Sequence, residues 1–307
     1  MIQKTLTFQG LSRLFFTESE FSLPDGWTKL TMDCSMVSPG TELFCIREGK
    51  TCMPGYIMTG HTDDGKHWFV FPSMQESSGA HCNLRGLSPE SLLLPLPEEF
   101  PLELAGFLRF INIGMHPFNN VGILPDRVAV IGLGPVGNLA AQTAHLFGCS
   151  VVGVDPSESR RELARKCGIE AVVPPLEFEA LEREFELVID TVSASSTLKA
   201  SARALKDNGS CSMVGIVKPG SLPASELCTE IWNRNLLFRS GWEMKNPLSL
   251  TERNLKRGMR WILDGSYVLH PLLTEIIKPE LSEIARIYRS LAEQPDKYFC
   301  CAIDWRA

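Results

Sequence analysis

The stretch VAVIGLGPVG carries Gly132, Gly134 and Gly137 in G-x-G-x-x-G spacing. Glycines at these intervals can build a cradle for phosphate. The first permits a tight turn, the second lets the backbone approach a pyrophosphate, and the third lets a helix pack close to its strand. The spacing alone is weak evidence. Here an apolar run precedes it and the helical stretch NLAAQTAHLFG follows it, which is the context that the chemistry requires. The positive end of that helix then faces the phosphate charge. Pro135 and Val136 complete the turn and join the predicted cofactor-binding set. An acidic residue is expected about 20 positions further on, at the end of the next strand. Asp155 stands there, 18 residues after Gly137. Its carboxylate can accept from both ribose hydroxyls of NAD and would repel the extra phosphate of NADP, so NAD is the predicted cofactor and NADP the minor alternative. Arg160 and Arg161 sustain that alternative, because an arginine here can meet a 2′-phosphate. The competing reading places both arginines on the solvated face of the next helix.

Such residues need a parallel sheet to position them. Between 118 and 241, apolar runs alternate with amphipathic stretches. VAVIGL, SVVGVD, ELVIDTV and SCSMVGI read as strands, SRRELARKCG and LKASARALKDNG as helices, and LLFRSGW as a last strand. That alternation predicts an α/β fold with a doubly wound parallel sheet. Thr191, Val214, Gly215 and Ile216 fall at carboxyl ends of strands, where such sheets bind ligands. Residues 1–117 instead hold short β-type runs broken by Gly and Pro, among them LTMDCSMV, HWFVFP and SLLLPLP. That pattern predicts an irregular β-rich or barrel-like domain. Residues 242–307 read helix, loop, helix, strand through LTERNLKRGMRWILDG, LSEIARIYRSLAEQ and FCCAIDW.

A chain of 307 residues has room for two such domains, each with its own core. Its net charge of −6 repels phosphate backbones, which argues against nucleic acid as a partner. The opening MIQKTLTFQGLSRLFF lacks the continuous apolar core of a signal peptide, and no run approaches the ~20 apolar residues of a membrane span. The expected location is the cytoplasm, with no membrane partner. The ten cysteines form no C-x-x-C pair and are expected to be reduced, buried small hydrophobes.

Over nearly its whole length the chain resembles the medium-chain dehydrogenases/reductases, the superfamily of zinc-type alcohol dehydrogenases. The likeness is most specific over residues 121–217. GTELF resembles the family's Gly-Thr-Asp segment, and PGY stands in the place of its Pro-Gly-His-Glu. GAHCNLRGLSPESLLLPLP resembles the segment before its domain junction, and FLRFINIGMHPF its helix carrying a Glu or Cys. VIDTVSASSTLKASARALKDNGSCSMVGI matches its fourth and fifth strand region. The resemblance implies a discontinuous GroES-like, β-barrel-type catalytic domain over 1–117 and 242–307 and a Rossmann dinucleotide-binding domain over 118–241. It implies that Val214, Ile216 and Gly241 border the nicotinamide. It also implies a homodimer built through the edge strand LLFRSGW.

The same resemblance bears on PGYIMTGH, residues 54–61. Zinc members hold their catalytic metal with Cys, His and Glu or Cys. In this chain Pro39 stands at the Cys place, Tyr56 at the His place and Arg109 at the Glu place. Proline has no donor, neutral tyrosine is a poor ligand and arginine is cationic, whereas catalytic zinc needs three protein ligands. The expected site is therefore free of metal. His61 with Cys34 or Cys52 forms an alternative ligand set that nothing in the spacing recommends. A hydride transfer without zinc still needs its oxyanion stabilised and protonated. The catalytic candidates are Tyr56 as proton donor, Thr41 as relay hydroxyl, and Arg109 as a cation for an anionic substrate or enolate. Each has a plainer account: Tyr56 fills the volume of the metal, Thr41 ends a turn, and Arg109 pairs with Glu42 or Glu103. His116 is expected to be buried and hydrogen-bonded, His81 exposed in a loop and His145 on a helix surface. Trp242 either caps a cleft or belongs to a core.

The predicted activity is zinc-independent hydride transfer between NAD(H) and a small alcohol/ketone or a conjugated carbonyl. The alternatives are an NADPH-dependent quinone or enoyl reductase and a non-catalytic NAD(H)-binding protein.

Overall fold

The computed structural model describes residues 1–47, 49–119, 121–217, 220 and 224–307, Ala224 in its backbone only. The short β-type runs become strands β1 (Ile2–Gln9), β2 (Leu14–Glu20) and β3 (Thr28–Met36). Helix α1 (Pro39–Arg47) follows, then β4 (Thr51–Cys52), β5 (Met58–His61), β6 (His67–Phe71), β7 (Leu84–Leu87), β8 (Leu92–Pro95) and helix α2 (Phe107–Asn119). The alternating region gives β9 (Arg127–Ile131), α3 (Pro135–Leu146), β10 (Ser150–Val154), α4 (Glu158–Lys166), β11 (Val172–Val173) and α5 (Pro175–Phe178). It continues with β12 (Phe185–Asp190), α6 (Ser195–Ala204), β13 (Leu205–Met213), α7 (Ala224–Arg234) and β14 (Leu237–Ser240). The chain closes with α8 (Leu248–Leu263), β15 (Leu273–Ile277), α9 (Leu281–Glu293) and β16 (Cys300–Asp304).

Two compact units result. One comprises Met1–Arg109, Leu248–Leu263 and Leu272–Ala307, and the other Phe110–Pro247 and Asp264–Pro271. Within the second unit, six strands lie in the order β11-β10-β9-β12-β13-β14, every neighbouring pair parallel. Counted along the chain that order is 3-2-1-4-5-6, the Rossmann arrangement, with its reversal point between β9 and β12. The apolar runs are continuous because both faces are covered. Val128 and Val130 pack with Ala140 and Ala144 of α3, while Ala129 and Ile131 share a core cluster with Phe178 of α5 and Ala202 of α6 on the other face. The stretch LKASARALKDNG is helical only as far as Ala204. Leu205 is extended and pairs with Phe185, so KDNG belongs to β13 and not to the expected helix. Residues 264–271 join this unit through Gln142, which bonds both backbone groups of Val268, and through a 2.8 Å bond from Thr143 Oγ1 to the Tyr267 hydroxyl.

In the first unit, the last strand returns to the first third of the chain. β16 pairs antiparallel with β3, giving a sheet ordered β15-β16-β3-β5-β6-β8, with β7 also on β3. A second sheet runs β2-β1-β4. Its apolar side, through Leu6 and Phe8, packs with Ile46 of α1 and with Ile284, Ile287 and Tyr288 of α9. Among the described residues no helix is long and apolar enough to cross a membrane.

Candidate functional site

The glycine turn follows β9 at the reversal point of the parallel sheet, and each glycine has a measurable reason. Gly132 has φ +86°, and a Cβ there would lie 2.5 Å from Thr191 Oγ1. A Cβ on Gly137 would stand 1.7 Å from the Gly132 carbonyl oxygen, so no larger residue lets α3 sit this close to its strand. A Cβ on Gly134 would meet nothing within 4 Å, leaving that side of the turn open. Gly134 is the N-cap of α3 and has no side chain to satisfy the first-turn N–H groups; Pro135 at the first helical position needs no N–H partner, and Val136 follows half-buried. A backbone N–H cluster at a helix start suits an anion.

Asp155 is buried at the end of β10. One carboxylate oxygen accepts from Leu133 N within the glycine turn at 2.8 Å, and the other accepts from Ser157 N at 2.9 Å. The acid is thereby fixed against the turn. Arg160 Nη1 lies 3.7 Å from the same carboxylate. Arg161 departs from the expected solvated face. It is buried, donates to the Asp155 carbonyl oxygen and pairs with Glu158, because its side chain folds back over the start of α4.

The other strand-end residues complete this region. Thr191 Oγ1 donates to the carbonyls of Ile131 and Gly132 at 2.9 and 3.1 Å, joining the ends of β9 and β12. Val214 N and Gly215 N both donate to the Asp190 carbonyl. A Cβ on Gly215 would lie 2.5 Å from Thr191 O, and one on Gly241 would lie 2.6 Å from Val214 Cγ2. Ile216 is exposed. Trp242 is 51% exposed, which removes the core account of that residue. His116 is buried, with Nε2 3.2 Å from Ser240 O, and His145 is exposed on α3.

In the first unit, Tyr56 and Arg109 come together. The guanidinium of Arg109 lies over the Tyr56 ring at 5.2 Å and over the Phe71 ring at 4.3 Å, in a buried position where aromatic faces favour a cation. The Tyr56 hydroxyl hydrogen-bonds Ser38 Oγ at 2.8 Å. Ser38 precedes α1. Its carbonyl accepts from Glu42 N, and its N–H donates to Glu42 Oε1 at 2.7 Å, so the SPGTE segment is a helix start and not merely a turn. Pro39 occupies the first helical position. Thr41 is half-buried in the first turn of α1, on a different element from Tyr56 and Arg109.

Below Ser38 lies a buried polar network that the sequence did not disclose. Glu42 Oε2 accepts from the Tyr288 hydroxyl and meets His81 Nε2 at 3.0 Å. His81 Nδ1 in turn meets Ser35 Oγ at 2.7 Å, which also accepts from Trp305 Nε1. His81 is thus wholly buried, not exposed. Gly55 explains its place: a Cβ there would stand 2.8 Å from the imidazole, so the glycine of PGY is the space into which His81 packs. Burial, then the Glu42 charge, pushes the Tyr288 phenol well above its ordinary value, which keeps it a donor.

The histidine of PGYIMTGH has neither Cys34 nor Cys52 as its bonded partner. His61 Nδ1 is 2.8 Å from Asp33 Oδ1, and His67 Nδ1 is 2.6 Å from Asp33 Oδ2. Of the cysteines, seven are buried and Cys52 is intermediate, but Cys45 and Cys228 are exposed. Burial pushes the thiols of Cys34 and Cys82 up to about 12 and those of Cys149 and Cys167 to about 11, which makes them poor nucleophiles.

Residues 135–243 match a family model described as zinc-binding dehydrogenase, and the fold accords with solved members across both units. Over that stretch the chain is similar to the zinc-type alcohol dehydrogenases of the medium-chain dehydrogenase/reductase superfamily, whose fold it shares. It is 28% identical over 202 residues to cinnamyl alcohol dehydrogenase 2 of Rauvolfia serpentina, covering 63% of this chain and 52% of that one. It is 31% identical over 153 residues to NADP-dependent alcohol dehydrogenase C 1 of Mycolicibacterium smegmatis, covering 48% and 43%. The chain thus spans about half the length of the curated relatives it matches. L-idonate 5-dehydrogenase from Escherichia coli superposes with a TM-score of 0.83 over 99% of this chain and 98% of that one at 14% identity, a likeness of fold. The antiparallel sheets are those of a GroES-like domain and the parallel sheet is Rossmann.

Proposed function

We propose that the protein is an NAD(H)-dependent oxidoreductase acting on a small alcohol/ketone or conjugated carbonyl, with no zinc at the family's catalytic position. On this reading the catalytic domain takes residues 1–117 and 242–307, and the nucleotide domain residues 118–241. The observation that carries it is the closed glycine turn with Asp155 bonded to Leu133 N inside it. Gly132, Gly134 and Gly137 with the start of α3 would hold the pyrophosphate, and Asp155, with lone pairs still available, the adenosine ribose. Thr191, Val214, Gly215, Ile216 and Gly241 would border the rest of the dinucleotide. The nicotinamide, when bound, supplies or accepts the hydride.

The substrate side falls to the first unit. Tyr56 is the proton donor to a developing alkoxide, and Ser38, its 2.8 Å partner, is the group through which that proton is replaced. Arg109 offsets negative charge on the substrate. Its guanidinium beside Tyr56 also disfavours a divalent cation there by charge repulsion, which supports the zinc-free reading. Thr41 remains a relay candidate on α1. The edge strand β14, with Leu237 half exposed, suits pairing with a second copy, so a homodimer is part of the proposal.

The test is a titration of purified protein with NADH and with NADPH, followed by hydride transfer to a carbonyl panel in the presence of a chelator. Tight NADH binding and chelator-insensitive turnover are expected. Binding of neither nucleotide ends the dehydrogenase reading, and chelator-sensitive turnover ends its zinc-free part. Arg160 at 3.7 Å from Asp155 favours one second reading, an NADPH-dependent quinone or enoyl reductase, which preferential NADPH binding would support.

A further inference from the structure

Three neighbouring strands of the first unit place two imidazoles and a carboxylate at one point. His61 ends β5 and His67 begins β6, and the two are directly paired across the hairpin. β3 lies on the other side of β5. Its pairing is regular at Met32 and Cys34 but shifts between them, so Asp33 is the extra residue of a bulge. A bulge re-aims a side chain, and here Asp33 points to the two histidines. Each of its oxygens meets one Nδ1, at 2.8 and 2.6 Å. The carboxylate is buried, with 1% of its side chain exposed, whereas the rings of His61 and His67 are 34% and 36% exposed.

We propose that Asp33, His61 and His67 bind one divalent transition-metal cation of the zinc class. One donor atom from each lies within 4.8 Å of the other two. A tetrahedral ion with bonds of about 2.1 Å needs its donors about 3.4 Å apart, which small ring and carboxylate rotations supply. Two imidazoles and one carboxylate suit zinc and its neighbours rather than calcium or magnesium. Three protein ligands leave a coordination position open, and the exposed rings give solvent a path to it. A ring that holds the ion through Nδ1 carries its proton on Nε2. The neighbouring acids have other partners: Asp63 pairs with Lys29, and Asp64 with Lys66 and Thr62. The site is separate from Pro39, Tyr56 and Arg109 and does not rest on the proposed activity. It would fasten β3, β5 and β6 together.

Chelator-treated protein titrated with Zn2+ alone is expected to bind one equivalent per chain by calorimetry and to gain about 4 °C in thermal midpoint. Co2+ in its place is expected to give the visible absorption of nitrogen–oxygen ligation. The double variant His61→Gln/His67→Gln changes partly exposed positions and is expected to weaken binding at least about 100-fold, with unchanged circular dichroism. Asp33→Asn is expected to do the same, and where it fails to fold the histidine variants decide. Absence of saturable binding, or equal affinity in the double variant, overturns the proposal.

Discussion

The glycine turn of the second unit and the Tyr56 region of the first make opposite use of the chain. The turn, α3 and Asp155 occupy one βαβ segment, and the bond that fixes Asp155 spans 22 residues. Around Tyr56 the partners are distant: Ser38 is 18 residues away, His81 and Ser35 are 46 apart, and Tyr288 reaches Glu42 over 246. Phosphate binding by backbone N–H groups needs a particular path of a few residues, so its chemistry is written locally. A site made of side chains needs only that the fold bring them together, and any segment can supply them.

That contrast is open to test, beginning with the largest effect. Gly137→Ala forces a Cβ against the Gly132 carbonyl, and helix and strand must separate. It is expected to abolish NADH binding and to cost about 3 kcal/mol or more in denaturant unfolding. A variant that binds normally would break the local half of the comparison. Tyr56→Phe removes the proposed proton donor from a half-buried position. Turnover is expected to fall about 100-fold with the thermal midpoint nearly unchanged. Unaltered turnover would remove Tyr56 from the chemistry, and tight NADH binding with no turnover by the parent protein would favour a non-catalytic nucleotide-binding role.

Asp155→Ser is expected to shift the NADH-to-NADPH preference about tenfold or more toward NADPH, read from the two dissociation constants. The smallest effect concerns a further buried cluster in the first unit. Glu76 accepts from Ser73 Oγ, from Ser88 N and Oγ, and from Ser91 Oγ. Burial pushes its carboxyl up, but these bonds together hold it below the ordinary value. A depressed carboxyl contributes stability above the unfolded value of about 4.3 and loses it as pH falls through the folded one. Glu76→Gln is expected to cost about 1 kcal/mol at neutral pH and to flatten the acid limb of a thermal-midpoint profile below about pH 4.

The sequence by itself determined the parallel sheet, the placement of the glycines and the position of Asp155. Periodicity and turn chemistry act over a few residues, and both faces of β9 declare their burial through continuous apolar character. Only the tertiary structure decided that His81 is buried against Gly55, that Arg161 folds inward, and that His61 meets Asp33 and not a cysteine. The end of α6 was misread for a similar reason: ARALK continues the helical pattern, but Leu205 is held extended by its pairing with Phe185. Each of these outcomes depends on a strand register or a long-range contact. A one-residue shift in a strand sends a side chain to the opposite face, and no window along the sequence contains the partner strand that fixes it.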